Sequence, residues 1–173
     1  MLLLMARRVG RVASRVVSVG PGRVRAPRVE PDYAQEVTVT KPANAYRVAS
    51  EPSIRVHVTD LGLACCALEV EAAVTSGLLV PDPGAAPGPG ERTVLLVSGT
   101  VTHALAPAVT AALAALEGEV EVLAFGACAT SGGPYWDAPT VVAGVDRVVP
   151  VHAYVPGCPP RPEALIAALR GLA

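Results

Sequence analysis

"TVLLVSGTVTHALAPAVTAALAALEGEVEVLAFGAC", residues 93–128, holds a strand, a helix and a second strand in the order that decides the fold. Residues 93–99 form a continuous apolar run that stops at Gly99, the pattern of a parallel strand buried on both faces. Residues 106–118 predict a helix with Pro107 in its first turn and Gly118 at its stop. Residues 119–128 predict the next strand, again running into glycine. A strand that returns through a helix to a second buried strand implies a right-handed crossover and a parallel sheet.

The pattern extends both ways. Upstream, "SIRVHVTD" (53–60) alternates around Ile54, Val56 and Val58 as a short strand, and "CCALEVEAAVTSG" reads as a helix ending at Gly77. "PDPGAAPGPG" (81–90) has seven Pro or Gly in ten residues and predicts a loop joining two halves of one domain. Downstream, "VDRVVPV" (145–151) predicts another strand, and "PRPEALIAALRG" (160–171) a helix opened by prolines and closed by Gly171. The expected fold is α/β: a doubly wound parallel sheet of four or five strands flanked by helices.

Composition agrees. The 173 residues suit one domain, and with Phe125, Trp136 and four tyrosines as the only aromatics, the core must be Val, Leu and Ala. The net charge of −1 hides an asymmetry: Arg7, Arg8, Arg11, Arg15, Arg23, Arg25 and Arg28 crowd the first thirty residues, where Glu30 is the only acid. Residues 1–50 are therefore expected to be a basic N-terminal extension and residues 51–173 the α/β domain. In the tail, Val9, Val12, Ala13 and Val16 recur at helical spacing beside Arg8, Arg11 and Arg15, which suits a helix on an anionic membrane or a partner. Gly10, Gly20, Pro21, Gly22 and Pro27 argue equally for a disordered extension. "MLLLMA" is shorter than the roughly 7–15 apolar residues of a secretory signal, so a cytoplasmic protein is expected. No apolar run reaches the roughly 20 residues that span a bilayer, and no basic stripe interleaved with aromatics points to nucleic acid.

The chemistry lies in the cysteines. Cys65 and Cys66 follow the first predicted strand, Cys128 follows the third and Cys158 the fourth, so all four fall at the carboxyl edge of the sheet, where such folds bind ligands. Four thiolates match the ligand count of a cubane iron–sulfur cluster or of structural zinc. Zinc sites of this type are usually built from two Cys-x-x-Cys knuckles, which are absent. A vicinal disulfide would leave Cys128 and Cys158 unexplained. Spacing alone leaves the cluster, zinc and unrelated thiols open. Gly126, Gly132, Gly133 and Gly157 allow close backbone approach to sulfur, and Pro159 after Cys158 repeats the Cys-Pro step of bacterial ferredoxin motifs. Ser98 lacks the Gly-x-Ser-x-Gly elbow, and no Gly-Lys-Ser/Thr follows a glycine-rich turn, so hydrolase and nucleotide-binding readings fail.

"GLACCALE", "VSGTVTHALAP", "FGACATSGG" and "VPVHAYVPGCPPRPEAL" together resemble the B-subunit family of the respiratory NADH–quinone oxidoreductases, complex I, related to the small subunits of nickel–iron hydrogenases. The resemblance runs from about residue 53 to the C-terminus. It implies a flavodoxin-like protein in which Cys65, Cys66, Cys128 and Cys158 ligate one 4Fe-4S cluster, the last of the electron wire, with quinone as acceptor. It also implies partners within complex I: the D subunit, which is hydrogenase large-subunit-like, the ferredoxin-like I subunit, the C subunit and the H subunit of the membrane arm. The implied location is peripheral, on the cytoplasmic side of a bacterial cell membrane. NADH would react at a distant flavin protein of the complex. Glu69 matches a family glutamate near the cluster, a candidate for proton-coupled reduction, with a solvated helix carboxylate as the alternative. His103 stands at a strand-to-helix turn as a candidate on the quinone side, with an ordinary turn histidine as the alternative. Tyr135 and Trp136 are expected in packing or an interface, and Arg161 beside Cys158 as a donor to the cluster surroundings or to the D subunit. The segment "VTSGLLVPDPGAAPGPGERTVLL" departs from the family's arginine-rich stretch there. That departure keeps two other assignments in view, a membrane-bound hydrogenase-like complex and a four-cysteine zinc-binding interaction module.

Overall fold

The computed structural model describes residues 44–59, 65–84 and 87–172. The expectation for the basic tail concerns residues 1–43 almost entirely and lies outside them.

A six-stranded sheet runs in the order β3-β1-β2-β4-β5-β6. Its strands are β1 (Asn44–Val48), β2 (Glu51–Val58), β3 (Leu79–Pro81), β4 (Arg92–Ser98), β5 (Val120–Phe125) and β6 (Ala153–Val155). β2, β4, β5 and β6 are parallel, while β1 is antiparallel to both β2 and β3. The helices are α1 (Cys65–Thr75), α2 (Ala106–Ala114), α3 (Ala127–Ser131) and α4 (Pro162–Gly171).

The doubly wound sheet is as expected, with corrections of detail. It has six strands, not four or five, because the short β1 and β3 add an antiparallel edge outside β2. β1 itself lies before residue 51. Residues 145–151 are not a strand: Val145–Arg147 form a 3-10 turn, and the last strand starts at Ala153. α2 stops at Ala114; after the α-type bond from Ala115 N–H to Ala111 O, the chain tightens to a 3-10 bond from Leu116 N–H to Leu113 O.

Alternation sorts the core onto the two faces of the sheet. Val94 and Leu96 of β4 join Ile54, Val56, Leu123 and Phe125 under α1 and α4, in a cluster that includes Cys66, Val70, Leu165 and Leu169. Leu95 and Val97 face the other way, with Val122, Ala124, Val109, Val142 and Val145. Burial on both faces makes β4 a central strand of the sheet. α1 ends in a Schellman motif, with Gly77 N–H bonded to Val74 O and Leu78 N–H to Ala73 O. That turn sends the chain outward to β3, and the chain then returns past β1 and β2 to β4. The strand order thus reverses between β2 and β4, and open α/β sheets bind ligands outside such a switch point.

The return segment, residues 82–91, is held by charge. Arg47 of β1 and Arg55 of β2 are cross-strand partners, an arrangement that repels unless acids neutralise it. Asp82 and Glu91, the two ends of the loop, do so. Asp82 pairs with Arg55 and lies 3.3 Å from Arg47, and Glu91 accepts from Arg47 at 2.7 Å and 3.2 Å. Arg55 is 4% exposed and the Asp82 side chain 1%. Sequence alternation would have put Arg55 and His57 on a wet face, yet both are buried. Burial pulls the Asp82 carboxyl upward, but the Gly84 amide, Arg55 and Arg47 outweigh it and hold it below its usual range.

Candidate redox site at the cysteine edge

The first turn of α1 delivers Cys65 and Cys66 beyond the carboxyl end of β2. Cys128 sits in α3 directly after β5, and Cys158 follows β6. Two short bonds stitch the last two segments together: Gly126 N–H to Val155 O at 2.8 Å, and Ala127 N–H to Gly157 O at 2.7 Å. Cys66 and Cys128 are buried, while Cys65 and Cys158 are exposed. All four cysteines occupy the predicted edge.

Cys66 is the hub. Its sulfur lies over the ends of both central strands, accepting a hydrogen bond from the backbone of Gly99, which follows β4, and pressing on Gly126, which follows β5. Gly126 has φ +94° and ψ 159°, a region essentially reserved for glycine, and a Cβ there would collide with the Cys66 sulfur. A Cβ on Gly133 would stand 2.9 Å from the Cys128 sulfur. Two of the four thiols therefore lie in cradles that only a missing side chain leaves open.

Burial pushes the Cys66 thiol up to about 12, and neighbouring Cys65 and Cys128 push the same way, against the Gly99 amide. A thiol in this state is inert as a nucleophile. A cation bound at the same sulfur reverses that balance, because its charge compensates a thiolate that burial alone disfavours. Among the described residues no three His, Cys, Asp or Glu side chains already form a closed metal-holding group, so the cysteines are a constellation along one edge, not a finished cage. The donor set, two buried sulfurs on glycine cradles with an amide aimed at one of them, fits a sulfur-ligated metal group.

The other expected residues divide. Glu69 is half-buried on α1, one turn beyond the cysteine pair. His103 is not brought to the cysteines: it lines a cleft of about 570 Å3 with Ala106, Pro107, Val142 and Arg147, on the opposite face of the sheet from Cys66. Arg161 is exposed at the start of α4. Tyr135 and Trp136, 55% and 65% exposed, do not pack into the core; with Leu68 at 71% they leave apolar surface on segments adjoining the cysteines. Sequence reasoning misses Gly99 as a donor, since a backbone N–H carries no residue signature beyond the strand-ending glycine. No helix among the described residues is long and apolar enough to cross a membrane.

Residues 53–172 match the family model described as NADH ubiquinone oxidoreductase, 20 kDa subunit. The chain is 48% identical over 112 residues to the NADH-quinone oxidoreductase B subunit 2 of Streptomyces griseus, covering 63% of this chain and 48% of that one. It is 46% identical over 112 residues to the NADH-quinone oxidoreductase B subunit 1 of Salinispora tropica, covering 63% and 60%. The matched part thus spans about half to three fifths of these relatives. Among solved structures, a chain of the membrane-bound sulfane sulfur reductase, an archaeal respiratory membrane complex, superposes with a TM-score of 0.52 at 27% identity over 66% of each chain.

Proposed function

The chain belongs to the family of the 20 kDa subunit of NADH–ubiquinone oxidoreductase, and from that membership we propose that it is the electron-transfer subunit of a proton-translocating NADH–quinone oxidoreductase, holding the terminal 4Fe-4S cluster that reduces quinone. The observation that carries the reading is Cys66: a buried thiol between two strand-end backbones at the switch point, flanked by Cys65 and Cys128, with Cys158 on the adjoining segment. Cys65, Cys66, Cys128 and Cys158 would hold the cluster. When bound, such a cluster supplies a one-electron couple.

The residues of this chain do the rest. α1 presents two adjacent thiols from one strand end. Gly99 donates to sulfur and favours the ionised form, and the glycine cradles exclude water from Cys66 and Cys128. Glu69, one turn away, is the candidate for proton-coupled reduction. His103, on the opposite face, has no part at the cysteines. Exposed Leu68, Tyr135 and Trp136 suit a covering protein, consistent with the D, I and C subunits and the membrane-arm H subunit as neighbours in a peripheral assembly on the cytoplasmic side of the bacterial membrane.

Anaerobic purification with iron and sulfide analysis and electron paramagnetic resonance tests the reading. About four irons and four sulfides per chain, with a reducible signal lost in Cys66→Ser or Cys158→Ser, is the expected result. A colourless protein carrying stoichiometric zinc would replace it with the zinc-module reading. The likeness to the sulfane sulfur reductase chain, together with the altered 77–93 segment, favours a second reading in which the same cluster serves a hydrogenase-like membrane complex with another acceptor. The co-purifying proteins decide between the two.

A further inference from the structure

Ser98 ends β4, is 3% exposed, and its Oγ has no hydrogen-bond partner among the described residues. A buried, unpaired hydroxyl is destabilising, a cost that the Val and Leu filling the rest of the strand avoid. Alternation along β4 puts Ser98 on the face of Val94 and Leu96, the face that carries Cys66. Its partner in register on β5 is Phe125, of the same cluster. The residues following this pair, Gly99 and Gly126, are the two whose backbones meet the Cys66 sulfur. The hydroxyl therefore lies at the switch point, one residue below that sulfur on each strand. A second buried hydroxyl at this edge, Thr59 at the end of β2, is satisfied: it donates to Leu96 O at 3.1 Å. The serine hydroxyl is left over at the place where the sulfur ligands gather.

We propose that Ser98 is a positioning and tuning donor of the redox site, its O–H donating to a sulfur of the group held by the cysteines and thereby favouring the reduced state. This rests on the cluster reading above. The direction follows from charge: reduction adds an electron to the cluster, and a hydrogen bond to sulfur stabilises the more negative form, raising the potential. A hydroxyl left unpaired for no purpose makes the opposite forecast, since its removal would stabilise the protein and leave the potential alone.

The test uses the full chain, purified anaerobically, with Ser98→Ala and the volume-matched pair Ser98→Thr and Ser98→Val. Iron and sulfide are counted first, then the cluster is titrated against ambient potential. Ser98→Ala and Ser98→Val are expected to lower the reduced-to-oxidised ratio at fixed ambient potential by about three- to tenfold, tenfold being about 59 mV for a one-electron couple, while Ser98→Thr stays near wild type. Pulsed resonance in D2O should show an exchangeable proton near the cluster that is lost in Ser98→Val. Full iron content with an unchanged titration in both Ser98→Ala and Ser98→Val overturns the proposal and leaves the cluster reading intact. A wild-type chain without iron and sulfide overturns the cluster reading itself.

Discussion

The sulfur of Cys66, from the first turn of α1, occupies the space that a side chain on Gly126, at the end of β5, would fill. The two residues are sixty positions apart in sequence, yet each sets what the other can be.

Gly126→Ala is therefore expected to fail twice. The backbone at φ +94° costs an alanine about 1–3 kcal/mol, and its methyl group displaces the sulfur. Urea unfolding should show the loss of stability, and iron analysis should show poor cluster uptake. Gly77→Ala is the control: its φ is +71° but nothing lies within 4 Å, so it should cost about 1–2 kcal/mol and keep its iron. Wild-type iron in Gly126→Ala would break the link between cradle and site.

The clasp on the return segment makes a different forecast. Asp82→Ala removes the buried partner of Arg55 and a partner of Arg47, and should destabilise the fold by about 3–5 kcal/mol in urea melts. Joining Asp82→Leu to Arg55→Met deletes both charges and should cost clearly less than Asp82→Ala alone. A double variant as weak as the single one would show that the charges themselves, and not their pairing, hold the segment.

Acid should loosen the same clasp. The hydrogen bond from Arg47, backed by the Gly88 amide, lowers the Glu91 carboxyl from 4.5 to about 2, and Asp82 is lowered too. Carboxyl groups that ionise more readily in the folded chain stabilise it fully above their unfolded values. That stability is lost as pH falls through the window from about 4.5 to about 2. Melting temperature followed across this range should fall more steeply for wild type than for Glu91→Gln; identical slopes would contradict the assignment.

Core and rim should also separate cleanly. Phe125 is fully buried, and Phe125→Ala should cost about 3–5 kcal/mol by thermal or urea unfolding. Trp136 is 65% exposed, and Trp136→Ala should stay within about 0.5 kcal/mol of wild type. A large loss at Trp136 in the isolated chain would mean that it supports the fold and is not free for a partner.

The parts of this fold that can be read from sequence are those in which one residue pattern has one physical solution. The run from Val94 to Val97 is apolar without alternation, and only a strand covered on both faces uses it. Cysteines at strand ends are legible because a parallel sheet sends those ends to one edge. β1 and β3 are not legible, since five and three residues acquire strand structure only from the neighbour they pair with. Residues 145–151 mislead because Val145, in a 3-10 turn, and Val149, just past it, bury their side chains as a strand would from a sheet. The sheet pairs later: His152 is bonded to Val122 through both its backbone N–H and its ring Nδ1, just before β6 begins. Arg55 looks solvent-facing until Asp82 and Glu91 are brought against it, and His57 is buried beside it on the same strand. Ser98 and Gly99 give no warning either, because a strand-end serine and a backbone amide acquire meaning only from the sulfur that arrives beside them.

The strand order has a consequence for assembly during synthesis. Cys65 and Cys66 leave the ribosome first, but β4 and β5 must be laid beside β2 before Cys128 has a place, and Cys158 reaches that edge only when β6 docks outside β5. No early segment of the chain carries more than two of the four thiols, so the edge is completed last, by the C-terminal quarter. A chain that stops before β6 carries Cys65, Cys66 and Cys128 but not Cys158, and leaves the edge one thiol short.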